Sequence, residues 1–159
     1  MRALATGSRV VPRAWIDYNG HMMDAYYSVA FTEATEAFLD HVGLGAAYRV
    51  QAGCGIYTVE SHVCFAKSVR AGATLRFHSR LLGWDDKRLH LFHEMTESGS
   101  GEQVATSELM LLHVDLATER VTSMPPEAVR AVSALVAGQA SLPRPARAGR
   151  RIAMPEGPR

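Results

Sequence analysis

The stretch DAYYSVAFTEATEAFLDHVGLG, residues 24–45, decides the architecture. Tyr27, Ala30, Phe31, Ala34, Phe38 and Val42 recur at intervals of three and four, the spacing that lines one face of an α-helix. Glu33, Glu36 and Asp40 fall elsewhere around it, as on a solvated face. Asp24 suits a cap or a first-turn acid, and Gly43 and Gly45 supply a stop. A long helix with a single apolar face must bury that face against another layer.

The rest of the chain supplies that layer as strands. Residues 9–16 (RVVPRAWI) predict a short strand that Pro12 pushes toward an edge. Residues 56–65 alternate, with Tyr57, Val59, Ser61, Val63 and Phe65 on one face and Ile56, Thr58, Glu60, His62 and Cys64 on the other. Residues 74–83, 88–96 and 103–114 continue the pattern, separated by turns at 83–87 and 98–101. Pro125 and Pro126 open a second helix with Val129, Val132 and Val136 as its apolar stripe. The expected fold is α+β, an antiparallel sheet wrapped around one central helix. An open sheet edge and an uncovered face predict pairing of two copies, a homodimer or a homotetramer.

Length and composition agree with one globular body. The chain has 159 residues, 47% of them hydrophobic and 21% charged, which excludes disordered and collagen-like classes. The expected organisation is a domain over residues 1–138 and a Pro/Arg-rich tail over 139–159, extended or mobile. The tail holds five arginines and one acid, whereas residues 1–138 hold twelve basic and fifteen acidic residues. An acidic body argues against a nucleic-acid-binding domain; the tail is either a solvated extension or a contact for a polyanion. No apolar run approaches the ~20 residues of a membrane span, and the start lacks a signal-peptide pattern, so no membrane partner and a cytoplasmic location are expected. Cys54 and Cys64 would lie ~33 Å apart on one strand, too far for a disulfide, and suit a reducing compartment. No CxxC occurs, and His90 and His93 fall on opposite strand faces, so no metal site is expected.

The segment DYNGHMMDAYY, residues 17–27, resembles the opening motif of hotdog-fold acyl-CoA thioesterases of the 4-hydroxybenzoyl-CoA thioesterase type. There an aspartate precedes a Gly-His and a tyrosine at the head of the central helix. The resemblance runs from about Val10 to Pro125. Three stretches, WIDYNGH (15–21), DKRLHLFH (86–93) and ATSELMLLHVD (105–115), are similar to a narrower group: the thioesterases of carnitine breakdown, proposed to act on betainyl-CoA, and the thioesterase-like module fused to some carnitine dehydrogenases. The resemblance implies a hotdog fold, an active site at a subunit interface, and a small acyl-CoA thioester as substrate without a cofactor.

Thioester hydrolysis needs a polarised carbonyl and a carboxylate acting as base or nucleophile. Amides at a helix start suit the developing oxyanion, and those of Gly20–Met23 are the candidates here. The resemblance nominates Asp17 as the carboxylate; strand parity separately nominates Glu60, which shares a face with His62. Asn19 and His21 are candidates for orienting water or substrate. Each has a structural alternative: Asp17, Asn19 and His21 can simply hold the turn, and Glu60 can be a rim charge. Gly20, Met22, Tyr27 and His62 are candidate substrate contacts, and Lys67, Lys87 and Arg88 candidate partners of the CoA phosphates. Trp15, Tyr18, Tyr26, Tyr27, Tyr57 and Trp84 are numerous enough to cage a quaternary ammonium. Three rivals to the thioesterase reading stand: a hotdog shell that binds acyl-CoA without turnover, an interaction protein using the basic tail, and a hotdog dehydratase.

Overall fold

A computed structural model describes residues 3–154. The elements are β1 (Leu4–Val10), α1 (Asp24–His41), α2 (Ala46–Ala52), β2 (Cys54–Phe65), β3 (Thr74–Trp84), β4 (Arg88–Glu97), β5 (Gln103–Asp115), β6 (Arg120–Val121) and α3 (Pro126–Gln139). All strand pairs are antiparallel, in the order β1-β3-β4-β5-β2, with β6 on β5. The predicted α+β class holds.

All six apolar positions expected of α1 are buried. Tyr27, Ala30, Phe31 and Ala34 pack with Leu75, Phe77 and Met95, while Phe38 and Val42 pack with Leu81, Leu91 and Leu111. Burying one such large side chain is worth ~1.5–3 kcal/mol, so this face fixes α1 against the sheet. At the helix end Gly43 takes φ 78°, the Leu44 N–H donates to the Leu39 carbonyl (2.8 Å), and the Gly43 N–H donates to the Asp40 carbonyl (3.2 Å). That is a Schellman stop, and Gly43 is the residue that tolerates it. Asp24 is a first-turn acid rather than the cap, which is Met23.

Four expectations are corrected. The first strand spans 4–10 instead of 9–16, because Pro12 lacks an N–H for the ladder and the chain turns into a short 3₁₀ segment at Arg13–Trp15. Its pairing with β3 carries an irregularity between Ala5 and Ser8, where Gly7 sits at φ 118°, which hides the alternation. The helix α2 is unexpected. In β2 a bulge at Val59 breaks the ladder: Thr58 pairs with Leu111 but Glu60 pairs with Met110. The α1-facing residues therefore change from Ile56 and Thr58 to Ser61 and Val63, and simple alternation fails across the bulge.

The tail is the fourth. Residues 140–154 form no helix or strand, yet they lie against the sheet. The Arg80 guanidinium donates to the Pro143 carbonyl, Pro145 is buried, and the Gly149 N–H donates to Glu108 Oε2 at 2.7 Å. Just before it, Gln139 works as a strand substitute. Its Oε1 accepts the Leu81 N–H and its Nε2 donates to the Ser79 carbonyl, both at 3.2 Å. The remainder of the expected tail, residues 155–159, lies outside the described residues.

Both cysteines are free. Among the described residues no helix is long and apolar enough to cross a membrane, and no three His, Cys, Asp or Glu residues cluster as a metal site.

Candidate active site

The Asp17–His21 segment is a closed turn built by its own side chains. The Asp17 N–H donates to the His21 carbonyl (2.9 Å) and the Gly20 N–H to the Asp17 carbonyl (3.1 Å). Asp17 Oδ1 accepts the N–H groups of Asn19 (2.8 Å) and His21 (3.3 Å), and Oδ2 accepts from the Asn19 side-chain amide (3.2 Å). Gly20 has φ 78°, a backbone conformation that suits glycine. Desolvation raises the Asp17 pKa, but the bonds from His21 and Asn19 outweigh it and hold the carboxyl below its usual range. It is a carboxylate kept ionised at the entrance to α1. Asp17, Asn19, Gly20 and His21 thus come together as one unit.

The expected oxyanion donors do not lie free. The amides of Gly20, His21, Met22 and Met23 all have partners: Asp17 for the first two, the Val69 carbonyl (2.8 Å) and the Trp15 carbonyl (2.9 Å) for the others. Within the first turn of α1, the Ala25 N–H goes to Asp24 Oδ1 and the Tyr26 N–H to the Met23 carbonyl. Among the described residues, that leaves the Asp24 N–H as the unclaimed donor at the helix start. Sequence spacing cannot show that the Met22 amide is taken by Val69, 47 positions along the chain.

Beside this helix start is a cleft of about 300 Å³ lined by Met22, Asp24, Tyr27, Phe65, Lys67 and Ser68. It unites three of the expected contacts, Met22, Tyr27 and Lys67. Tyr27 meets Phe65 edge to face, with centroids 5.1 Å apart, and its hydroxyl donates to the Lys67 carbonyl at 3.3 Å. Burial raises the Tyr27 pKa, so the phenol stays neutral. The Lys67 ammonium is paired with Glu102.

Other expected residues lie apart from this cleft, Asp17 and Gly20 among them, which border a separate cavity with Tyr18 and Arg70. Glu60 and His62 sit on the sheet face away from α1, around a second cavity of about 540 Å³ with His90 and Glu108. Arg88 is paired with Asp85 at 2.8 Å in the β3–β4 turn. That turn, with Lys87, lies at the Leu81–Leu89 end of the sheet, near the C-terminal end of α1. The 18-residue helix separates it from the Asp17 turn by roughly 27 Å. The aromatic residues do not converge either. Trp15 stacks on Tyr26 at 5.0 Å with the Arg9 guanidinium over its ring, and Tyr18 is 97% exposed.

A third cavity was not anticipated. Between α1 and the edge strand β2, Ser28, Thr32 and Glu36 face Thr58 and Ser61 across a groove of about 210 Å³. Positions 28, 32 and 36 recur every fourth residue, a polar stripe beside the apolar one. That spacing was visible in the sequence, but the neighbouring strand was not.

A curled antiparallel sheet around one long helix is the hotdog fold. The chain belongs to the thioesterase-like superfamily, whose family model matches residues 11–132. It is 40% identical over 154 residues to the betainyl-CoA thioesterase of Pseudomonas aeruginosa, covering 97% of each chain. It is 49% identical over 135 residues to the L-carnitine dehydrogenase/betainyl-CoA thioesterase of Agrobacterium fabrum, where the match spans 85% of this chain and 27% of that protein. A Staphylococcus aureus protein solved in complex with CoA superposes with a TM-score of 0.89 at 26% identity, covering 98% of both chains.

Proposed function

We propose that the protein hydrolyses acyl-CoA thioesters and that betainyl-CoA is its substrate. The observation that carries this reading is the 40% identity, end to end, with a betainyl-CoA thioesterase. The site chemistry supports it. In the proposed step, a water oxygen adds to the thioester carbonyl while Asp17 takes one of its protons. The Asp24 N–H, at the positive end of α1, stabilises the oxyanion. The C–S bond then breaks, and the proton held by Asp17 passes to the departing sulfur, giving the free acid and CoA. No step calls for a metal or redox cofactor. The Tyr27–Phe65 pair offers aromatic surface to a trimethylammonium group.

The assembly belongs to the same proposal. Strand β2 is a 12-residue sheet edge with Tyr57, Val59 and Phe65 exposed. Such an edge calls for a partner, and a second copy paired along it would give a homodimer.

Thiol release from a panel of acyl-CoAs including betainyl-CoA tests the reading in wild type, Asp17→Asn, Glu36→Gln and Glu60→Gln. Release by wild type with kcat lowered ~100-fold or more in Asp17→Asn alone is the expected result, given what general bases contribute. A matching loss in Glu60→Gln or Glu36→Gln instead would move the essential carboxylate. Binding without thiol release from any thioester would make the protein a non-catalytic shell.

A further inference from the structure

Arg9, Lys67 and Arg88 each have a carboxylate partner, in Glu33, Glu102 and Asp85. Arg147, Arg150 and Arg151 have no carboxylate partner among the described residues. These three residues line one cavity of about 230 Å³ with His62, Cys64 and Phe65, with no carboxylate in its wall among the described residues; Arg150 and Arg151 also border the larger cavity that holds Glu60 and Glu108. Three neighbouring guanidinium-bearing residues around one cavity make it attractive to an anion.

The segment bearing them is pinned. Gly149 donates to Glu108 Oε2, the Ala148 N–H reaches the Pro145 carbonyl (3.1 Å), and the Arg150 N–H reaches the Arg147 carbonyl (3.3 Å). This last bond closes a turn between Arg147 and Arg150, so less freedom is lost when they grip a ligand. Phe65 is the common wall: it borders both this cavity and the cleft at the start of α1. A ligand with its thioester beside Tyr27 and a phosphorylated end some distance away fits across Phe65.

We propose that Arg147, Arg150 and Arg151 form a phosphate-binding site that takes the nucleotide phosphates of the CoA thioester. Guanidinium forks match phosphate oxygens in geometry and charge. The assignment of CoA as the phosphate source rests on the thioesterase reading; the arginine site itself does not.

Calorimetric titration with adenosine 3′,5′-bisphosphate, the nucleotide end of CoA without the thioester, tests the site directly. Wild type is expected to bind it, and the triple variant Arg147→Gln/Arg150→Gln/Arg151→Gln to bind at least ~10-fold more weakly. The exposed Arg130→Gln, on α3, serves as the control for a general charge effect. In steady-state thiol release, the triple variant is expected to raise KM for the CoA thioester at unchanged kcat. The preference for that thioester over the same acyl group on pantetheine should then collapse. Nucleotide affinity equal in wild type and triple variant overturns the site, and if wild type still hydrolyses acyl-CoA, the thioesterase reading stands without it. Nucleotide binding lost in the triple variant, with no thiol release by wild type, keeps the arginine site and removes the hydrolase. Tighter arginine-dependent binding of a single-stranded oligonucleotide than of the bisphosphate would overturn the CoA assignment.

Discussion

His93 makes a stability prediction whose size follows from its surroundings. The side chain is fully buried between α1 and the sheet, stacked on Phe31 with centroids 5.9 Å apart. Its Nδ1 lies 2.6 Å from Ser79 Oγ and its Nε2 2.9 Å from Thr35 Oγ1. The Thr35 hydroxyl donates to the Phe31 carbonyl, so Thr35 accepts from the His93 Nε2–H, and Ser79 donates to Nδ1. Ser79 Oγ in turn lies 2.6 Å from Thr6 Oγ1. A neutral imidazole satisfies every member of this chain, and burial lowers the His93 pKa from 6.5 to about 3. Above pH 6.5 both folded and unfolded states are neutral at this residue and it contributes no pH dependence. Between pH 6.5 and about 3 the unfolded chain takes up a proton that the folded chain refuses, so stability falls as pH falls. At 1.36 kcal/mol per unit, the loss by pH 5 is ~2 kcal/mol. His93→Gln costs ~1–3 kcal/mol at pH 7.5, because Ser79 and Thr35 lose their partner. The variant has no such titration, so its deficit against wild type should shrink by ~2 kcal/mol at pH 5. Urea unfolding followed by tryptophan fluorescence at pH 7.5, 6.5, 5.5 and 5.0, at one protein concentration, measures it. A deficit that stays constant across these pH values would refute the buried neutral histidine.

Three further outcomes are expected. Gly20→Ala forces a β-carbon into the left-handed region at φ 78° although nothing lies within 4 Å of it; strain alone should cost ~1–2 kcal/mol in thermal melting and lower thiol release by loosening the turn. Gln139→Ala leaves the Leu81 N–H and Ser79 carbonyl without partners past the end of β1, which should cost ~1–3 kcal/mol in urea unfolding while kcat is retained. Phe38→Ala empties a site that is 0% exposed and should destabilise by ~3–5 kcal/mol, read from the urea midpoint.

Much of the candidate site was legible in the sequence where its members are chain neighbours. Asp17, Asn19, Gly20 and His21 form one turn because they lie within hydrogen-bonding reach along the backbone, and Met22 and Tyr27 follow them into the same helix start. Glu36 is exposed, as its place off the apolar stripe predicts, but the groove it borders is made by β2, a strand separated from it by α2. The free amide at the helix start is that of Asp24 and not that of Met22 for a similar reason: the Val69 carbonyl that claims the Met22 N–H stands 47 positions away.

By itself the sequence determined α1, the strands from β2 to β5 and the helix-start turn, since each follows from periodic burial or hydrogen bonding among near neighbours. Tertiary structure alone decided which face Glu60 takes, because the Val59 bulge exists only relative to the β5 ladder. It also decided that the arginine tail lies down on the sheet. The Gly149–Glu108 bond joins residues 41 positions apart, and a contact of that span depends on a surface that exists only once the strands have paired.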